Sequence, residues 1–197
     1  VELDTNKAFG SSKTVPYCHH LIGLGIPGAN TFKHGQPLPS GTNDVNELTG
    51  ILREGGNLCI YAHPSWSHIW HEDLDNIDNI FGIEVYNNVC HVNWGCGDSE
   101  SFFDRLLYKG RKCFCFASDD THQHTRDYMG GFIWVKAKAL TQKDIFDAIL
   151  SGSFYASNGP QIKDFYIEGS KAFVECSPCR SVSFMSDNTC GFAQNAS

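Results

Sequence analysis

Acidic and imidazole side chains follow directly after an apolar segment in the second half of the chain. The segment "CFASDDTHQHTRD", residues 115–127, places Asp119, Asp120 and His122 behind an apolar run. Aspartate supplies an anionic oxygen and histidine a neutral nitrogen, a mixture that suits zinc, manganese or iron better than it suits a soft thiolate site. An isolated D-x-H pair also fits a solvated loop, so the interpretation depends on what other segments contribute.

Other segment ends offer ligands of the same kind. "YCHHLIGLG" carries His19 and His20 ahead of an apolar run, and "YAHPSW" carries His63 at the end of one. Asn87 and Asn88 follow the apolar segment "GIEVY". Because separate segment ends converge on one chemistry, a shared metal site explains them better than scattered surface histidines do.

The segments that must position these residues alternate between strand and helix patterns. "NLCIYAHP", "GIEVYNN" and "KCFCFAS" read as buried strands. "TNDVNELTGILREGG", with Asn43 as N-cap, "DSESFFDRLLYKG" and "TQKDIFDAILSG", with Thr141 and Asp144 as a capping box, read as amphipathic helices. This alternation predicts parallel strands covered on both faces, with the chemistry at their carboxyl ends.

The pattern changes after Pro160. "IKDFYIE", "KAFVECS" and "SVSFMS" are short alternating segments that predict a small antiparallel sheet. We therefore expect a metal-binding domain over residues 1–160 and a small β-rich segment over residues 161–197. "CSPC", Cys176 to Cys179, has the spacing of half a zinc ribbon or of a redox motif, and a strand ending in Ser-Pro explains it equally well.

Composition restricts the functional class. The chain has 197 residues and a net charge of −7, which argues against a broad phosphate-neutralising surface and disfavours a long nucleic acid as substrate. No segment approaches the roughly 18 uninterrupted apolar residues of a membrane helix, so no membrane partner is expected. Cys59, Cys113 and Cys115 lie in apolar runs, where a reduced cysteine acts as a small hydrophobe, and this favours a cytoplasmic location.

Five motifs together resemble a known family. In order, "CHHLIGLG", "GGNLCIYAHPSWS", "GIEVYNN", "CFASDDTH" and "ILSGSFYASNGP" are similar to the later motifs of the PHP domain, named for polymerases and histidinol phosphatase. The resemblance spans about residues 1–160. It implies a distorted (β/α)7 TIM-like barrel, here N-terminally incomplete and followed by the small β appendage. It also implies two or three divalent metal ions, zinc, manganese or iron, acting on phosphoesters.

The resemblance assigns the metal ligands one at a time. Glu2 in "VELD" matches a glutamate that bridges two metals, and His20 matches the ligand three residues before a glycine. His63 in "AHP" matches the next ligand, and Asp120 and His122 match the closing D-x-H pair. By this mapping Glu2, His20 and His63 complete one metal site, Glu2 and Asp120 supply half of a second, and His122 supplies one arm of a third.

The chain departs from the family pattern at its start. The H-x-H strand and the "TDH" loop that open the family are absent, so we expect the sequence to begin inside the domain. Arg126 and His124, together with Lys136, are the expected contacts to substrate phosphate, because cationic groups bind the non-bridging oxygens.

The resulting hypothesis is a metal-dependent phosphoesterase for a small phosphorylated substrate. A metal-bridging hydroxide would be the nucleophile, with Asp120 and His122 as catalytic residues. Two alternatives stay open: a catalytically silent metal-binding or interaction module derived from the family, and a metal-dependent amidohydrolase-like enzyme. The sequence does not distinguish one oligomeric state from another.

Overall fold

A computed structural model describes residues 1–5, 18–32, 44–122, 127–185 and 191–195. The chain divides between Asn158 and Gly159 into two units, Val1–Asn158 and Gly159–Ser197. The sequence-based boundary after residue 160 lies close to this division. The candidate ligands all fall in the first unit.

A five-stranded sheet in the order β1-β2-β3-β4-β5 forms the centre of the first unit. β1 and β2 are antiparallel, as are β2 and β3, whereas β3, β4 and β5 are parallel. Because β2 runs opposite to β3, its first residue lies at the same edge of the sheet as the last residues of β3, β4 and β5. The strands are Glu2–Asp4 (β1), His20–Gly25 (β2), Asn57–Tyr61 (β3), Ile80–Asn87 (β4) and Phe114–Ser118 (β5).

Helices and a further strand pair complete this unit. They are α1 (Val45–Glu54), a 3₁₀-helix (His71–Asn76), α2 (Asn88–Trp94), α3 (Glu100–Tyr108) and α4 (Gln142–Leu150), with the antiparallel pair β6 (Phe132–Val135) and β7 (Phe154–Ser157). Asp44 caps α1 by accepting from the Asn46 N–H, while the predicted cap Asn43 lies outside the described residues. The sequence did not predict α2, which Asn87 caps by accepting from the Cys90 N–H and which ends at Gly95 with a φ of 69°.

Two apolar clusters cover the two faces of the sheet. One contains Leu3, Leu21 and Tyr61 together with buried residues of α1, α3 and the 3₁₀-helix. The other contains Ile60 and Phe116 with apolar residues of α4, β6 and β7. All five residues of β3 are buried, which explains the apolar run that follows its first residue, Asn57.

The prediction of a (β/α)7 TIM-like barrel is wrong. The described residues form an open five-stranded sheet and separate two-stranded sheets, and no closed barrel occurs among them. Closure requires every strand to be hydrogen-bonded on both sides, but β6 pairs with β7 instead of extending the sheet beyond β5. The prediction that the sheet is parallel holds only for β3, β4 and β5.

The second unit consists of hairpins. β8 (Ile162–Glu168) pairs with β9 (Lys171–Cys176), and β10 (Ser181–Met185) pairs with β11 (Gly191–Asn195), both antiparallel. The alternating segments thus form two separate two-stranded sheets. Within the described ranges, no helix combines the length and apolar character needed to cross a membrane.

The cap of α4 yields a stability prediction. The Thr141 hydroxyl accepts from the Asp144 N–H at 3.1 Å and also donates to the Asp144 carboxylate. We expect Thr141→Ala to lower the free energy of unfolding by about 1 kcal/mol, because an N-terminal N–H of the helix loses its acceptor. Thr141→Ser keeps the hydroxyl and is the matched control in urea denaturation. Equal stability of the Ala and Ser variants would contradict this account of the cap.

Candidate metal centre

Glu2, His20 and His63 meet at one edge of the sheet. Each offers one ligand atom, and these atoms lie within 4.8 Å of one another. In the β1–β2 pairing Asp4 lies opposite His20 and Glu2 opposite Ile22, so Glu2 and His20 project from the same face. His63 follows β3, the next strand in the sheet, and the Ala62 N–H donates to the His20 carbonyl at 3.1 Å. Strand pairing therefore assembles residues far apart in sequence.

The pairing of Glu2 with His20 leaves one imidazole nitrogen uncommitted. The Nδ1 atom of His20 lies 3.0 Å from the Glu2 Oε1 atom. The Nε2 atom of His20 is buried and has no hydrogen-bond partner of good geometry in the described part of the chain. A buried polar atom without a partner is costly, and a metal ion would satisfy it. The donor set of one carboxylate and two imidazoles fits a divalent transition metal.

His63 is a buried residue held from two sides. Its Nδ1 atom lies 3.1 Å from the Ser67 hydroxyl, and its backbone N–H donates to the Glu84 Oε2 atom at 2.9 Å. The Nε2 atom is thereby left on the side of Asp120, whose Oδ2 atom is 3.9 Å away. A hydrogen bond on one ring nitrogen fixes a histidine for metal binding through the other, and Ser67 supplies that bond here.

The closing D-x-H pair lies beside the cluster. Asp120 follows β5, and its Oδ2 atom accepts from the Asn87 amide at 3.2 Å. The Nδ1 atom of His122 is 3.9 Å from the Asp120 Oδ1 atom, and the His122 side chain is 66% exposed. His63 and Asp120 both have positive φ angles, 25° and 54°, a backbone region that residues other than glycine rarely adopt and that concentrates at functional sites.

Glu84 joins the ends of three strands beneath the cluster. Its buried carboxylate accepts from the His63 N–H, from the Asn87 amide at 3.0 Å and from the Ser118 hydroxyl. His63 follows β3, Asn87 ends β4 and Ser118 ends β5. One side chain thus sets the positions from which His63 and Asp120 extend.

Asp119 organises the following loop rather than the cluster. Its carboxylate accepts from the backbone N–H groups of Met129, Gly130 and Gly131 at 2.6, 2.8 and 2.8 Å. A Cβ atom on Gly131 would lie 2.3 Å from the Ser118 carbonyl oxygen, so only glycine allows this close approach. The candidate ligand Asp119 therefore serves as an anchor for residues 129–131.

The protonation of the cluster follows from burial and pairing. Burial lowers the pKa of His63 to about 4, which keeps its ring neutral, the form that binds metals. Burial also disfavours charge on His20, but polar interactions with Cys18 and Glu2 outweigh it and raise the His20 pKa to about 10. Hydrogen bonding to His20 lowers the pKa of Glu2. Burial raises the pKa values of Glu84 and Asp120.

Aromatic rings form one wall of the cluster. The Trp66 indole lies edge-on to His20 and His63, with ring centroids 5.7 and 5.0 Å away. Trp94, which is 59% exposed, contacts Trp66 at a centroid distance of 5.7 Å. Sequence reasoning did not select Trp66 or Ser67. The signal for Ser67 is its position four residues after His63 in a tight turn.

The predicted ligands Glu2, His20, His63, Asp120 and His122 thus lie in one connected group, whereas other candidates lie elsewhere. The His19 Nδ1 atom pairs with the Tyr61 hydroxyl at 2.6 Å. Lys136 is exposed, where its backbone N–H donates to the Ser153 carbonyl. The predicted substrate contacts His124 and Arg126 lie outside the described residues.

Comparison with protein-family models and with curated proteins yields no match to this chain.

Because the Glu84 carboxylate joins the ends of β3, β4 and β5, two Glu84 variants should differ in stability. Glu84→Ala leaves the His63 N–H, the Asn87 amide and the Ser118 hydroxyl without their acceptor, and we expect it to lower the unfolding free energy by about 3 kcal/mol or more. Glu84→Gln should cost clearly less, because its oxygen can accept from His63 and Asn87 while its amide donates to Ser118. Chemical denaturation measures both variants. Equal losses would show that the charge, and not the hydrogen-bond geometry, holds the strands.

Metal binding should release a proton from His20. The ring binds a metal only when neutral, but its pKa of about 10 keeps it protonated at neutral pH. We expect about one proton released per ion and a metal affinity that rises about tenfold per pH unit between pH 6 and 8. Titration calorimetry in two buffers of different ionisation enthalpy counts the protons. A binding heat independent of the buffer would contradict this prediction.

Proposed function

We propose that this protein is a metal-dependent hydrolase of phosphoesters. The observation that carries the proposal is the group of Glu2, His20 and His63, with ligand atoms within 4.8 Å, beside the Asp120 carboxylate 3.9 Å from His63. Two carboxylates and two imidazoles around one edge of a sheet form a donor set for hard or borderline divalent ions. Zinc, manganese and iron all accept such a set.

The ligand roles follow the resemblance to the PHP domain. Glu2, His20 and His63 would hold one ion, and Glu2 with Asp120 would contribute to a second. His122 would supply one arm of a third. The order of the motifs along the chain supports this assignment. The assignment does not depend on a barrel, because the open sheet already brings Glu2, His20 and His63 together. Ser67 and Asn87 would orient His63 and Asp120 through the hydrogen bonds described above.

Buried and exposed side chains of the cluster would have different chemical roles. A bound divalent ion would acidify water and offset the negative charge of a phosphoryl group. His63 is 4% exposed and with Trp66 shields the inner side of the cluster from solvent. If its imidazole does not bind a third ion, His122, on the exposed side, would donate a proton to the leaving oxygen. Asp120 would orient that ring through the 3.9 Å approach of its Oδ1 atom.

The proposed substrate is a small phosphorylated molecule. A net charge of −7 gives the protein no general attraction for a polyanion, so recognition has to be local to the site. The cytoplasmic location and the number of ions, two or three, stay predictions.

Metal analysis combined with activity on p-nitrophenyl phosphate tests the proposal. We expect metal-loaded protein to hydrolyse this ester, and we expect chelation or His63→Asn to lower the rate by about 100-fold or more together with the metal content. His68→Asn is the matched control, because His68 is an exposed histidine with a φ of 54° that asparagine tolerates.

Each negative result of this experiment would favour a different conclusion. Metal bound in the wild type without hydrolysis of any ester would favour the silent binding module. Hydrolysis of an amide panel in place of the aryl phosphate would favour the amidohydrolase-like alternative. Full activity in the chelated protein would contradict metal dependence altogether.

A further inference from the structure

A pair of thiols lies in contact in the second unit, and neither belongs to the residues assigned to the metal centre. Cys176 ends β9, and its Sγ atom is 3.7 Å from the Sγ atom of Cys179 in the connection to β10. Both residues are partly buried, so reagents can reach them. Rotation of the two side chains can close a separation of this size to a disulfide bond of about 2.05 Å.

Backbone hydrogen bonds hold the segment that carries the two thiols. The Ser177 N–H donates to the Gln161 carbonyl at 2.7 Å, and the Gln161 N–H donates to the Ser177 hydroxyl at 3.0 Å. Pro178, one of the two residues between the thiols, has a φ angle fixed by its ring. The position of the pair is thus set by local structure and does not depend on a ligand.

A metal site is the less suitable interpretation of this pair. A structural zinc ion takes four ligands, whereas within the described residues no third His, Cys, Asp or Glu joins the two thiols in a cluster of metal-binding size. Other cysteines differ in their surroundings. Burial raises the pKa of the Cys59 thiol to about 12 and that of Cys115 to about 12, which leaves both unreactive.

We propose that Cys176 and Cys179 form a reversible dithiol–disulfide site that exchanges with low-molecular-weight disulfides of the glutathione type. One thiolate attacks the external disulfide, forms a mixed disulfide and releases one thiolate. The second cysteine then attacks the protein sulfur of the mixed disulfide, which closes the Cys176–Cys179 bond and releases a second thiolate. The two electrons of the pair reduce the external disulfide, and the two protons end on the released thiols.

The two thiols contact each other, and hydrogen bonding to Cys179 raises the pKa of the Cys176 thiol. Either cysteine can attack the external disulfide first, and the other then resolves the mixed disulfide. This inference concerns the second unit only, and it stands or fails independently of the proposed hydrolase.

Incubation of the full chain with graded ratios of reduced to oxidised glutathione tests the site. We expect one intramolecular disulfide per chain, mapped by mass spectrometry of peptides to Cys176 and Cys179 and reversed by reduced glutathione. In Cys176→Ser we expect a stable glutathione adduct on Cys179, because the resolving thiol is absent. Cys96→Ser, which changes a partly buried thiol of the first unit, is the control and should leave the disulfide unchanged.

Three results would overturn the proposal. The first is a wild-type protein that keeps both thiols alkylatable at every glutathione ratio. The second is a stable adduct on the wild-type pair without ring closure. The third is a bond from either cysteine to Cys190, which lies outside the described residues.

Discussion

The buried carboxylate of Glu84 is the constraint on which the candidate site depends. It accepts hydrogen bonds at the ends of β3, β4 and β5, so the three strands stop at a common level. His63 and Asp120 extend from two of these ends into the same space. A carboxylate buried to this degree is stable only when its oxygens are satisfied, and the donors that satisfy it are the groups that position the ligands.

The direction of β2 explains why His20, the first residue of a strand, lies beside residues that follow strands. In a wholly parallel sheet His20 would lie at the opposite edge from His63. Because β2 is antiparallel to β3, its first residue is brought beside Ala62 and His63 instead. The reversal that contradicts the predicted parallel barrel is therefore also what completes the cluster.

Local sequence patterns predicted individual strands and helices better than they predicted how these elements are arranged. The apolar run of β3 and the helical spacing of α3 and α4 identified those elements, since burial on two faces and on one face leave different periodicities. Strand direction and sheet closure depend on hydrogen bonds between distant segments, and no local periodicity records them. α2 was missed because it is short, with Asn87 serving both as the end of β4 and as its cap.

The candidate site residues differ in how far the sequence alone indicated them. The positions of His63 and Asp120 at strand ends, and of His19 and His20 ahead of an apolar run, indicated a role without any family resemblance. Motif likeness then singled out Glu2 and selected His20 over His19. The contacts of Ser67, Asn87 and Glu84 with the cluster were beyond sequence reasoning, because each depends on where a neighbouring strand ends. Positive φ angles at His63 and Asp120 are likewise visible only in three dimensions.

Trp66 gives the protein an intrinsic optical reporter. Of the four tryptophans it is the one that is not exposed, and its indole lies 5.7 and 5.0 Å from the rings of His20 and His63. Paramagnetic ions quench indole emission at such short range, while closed-shell zinc has no unpaired electron with which to do so. The brightness of this half-buried indole therefore distinguishes manganese or iron from zinc at this edge of the sheet.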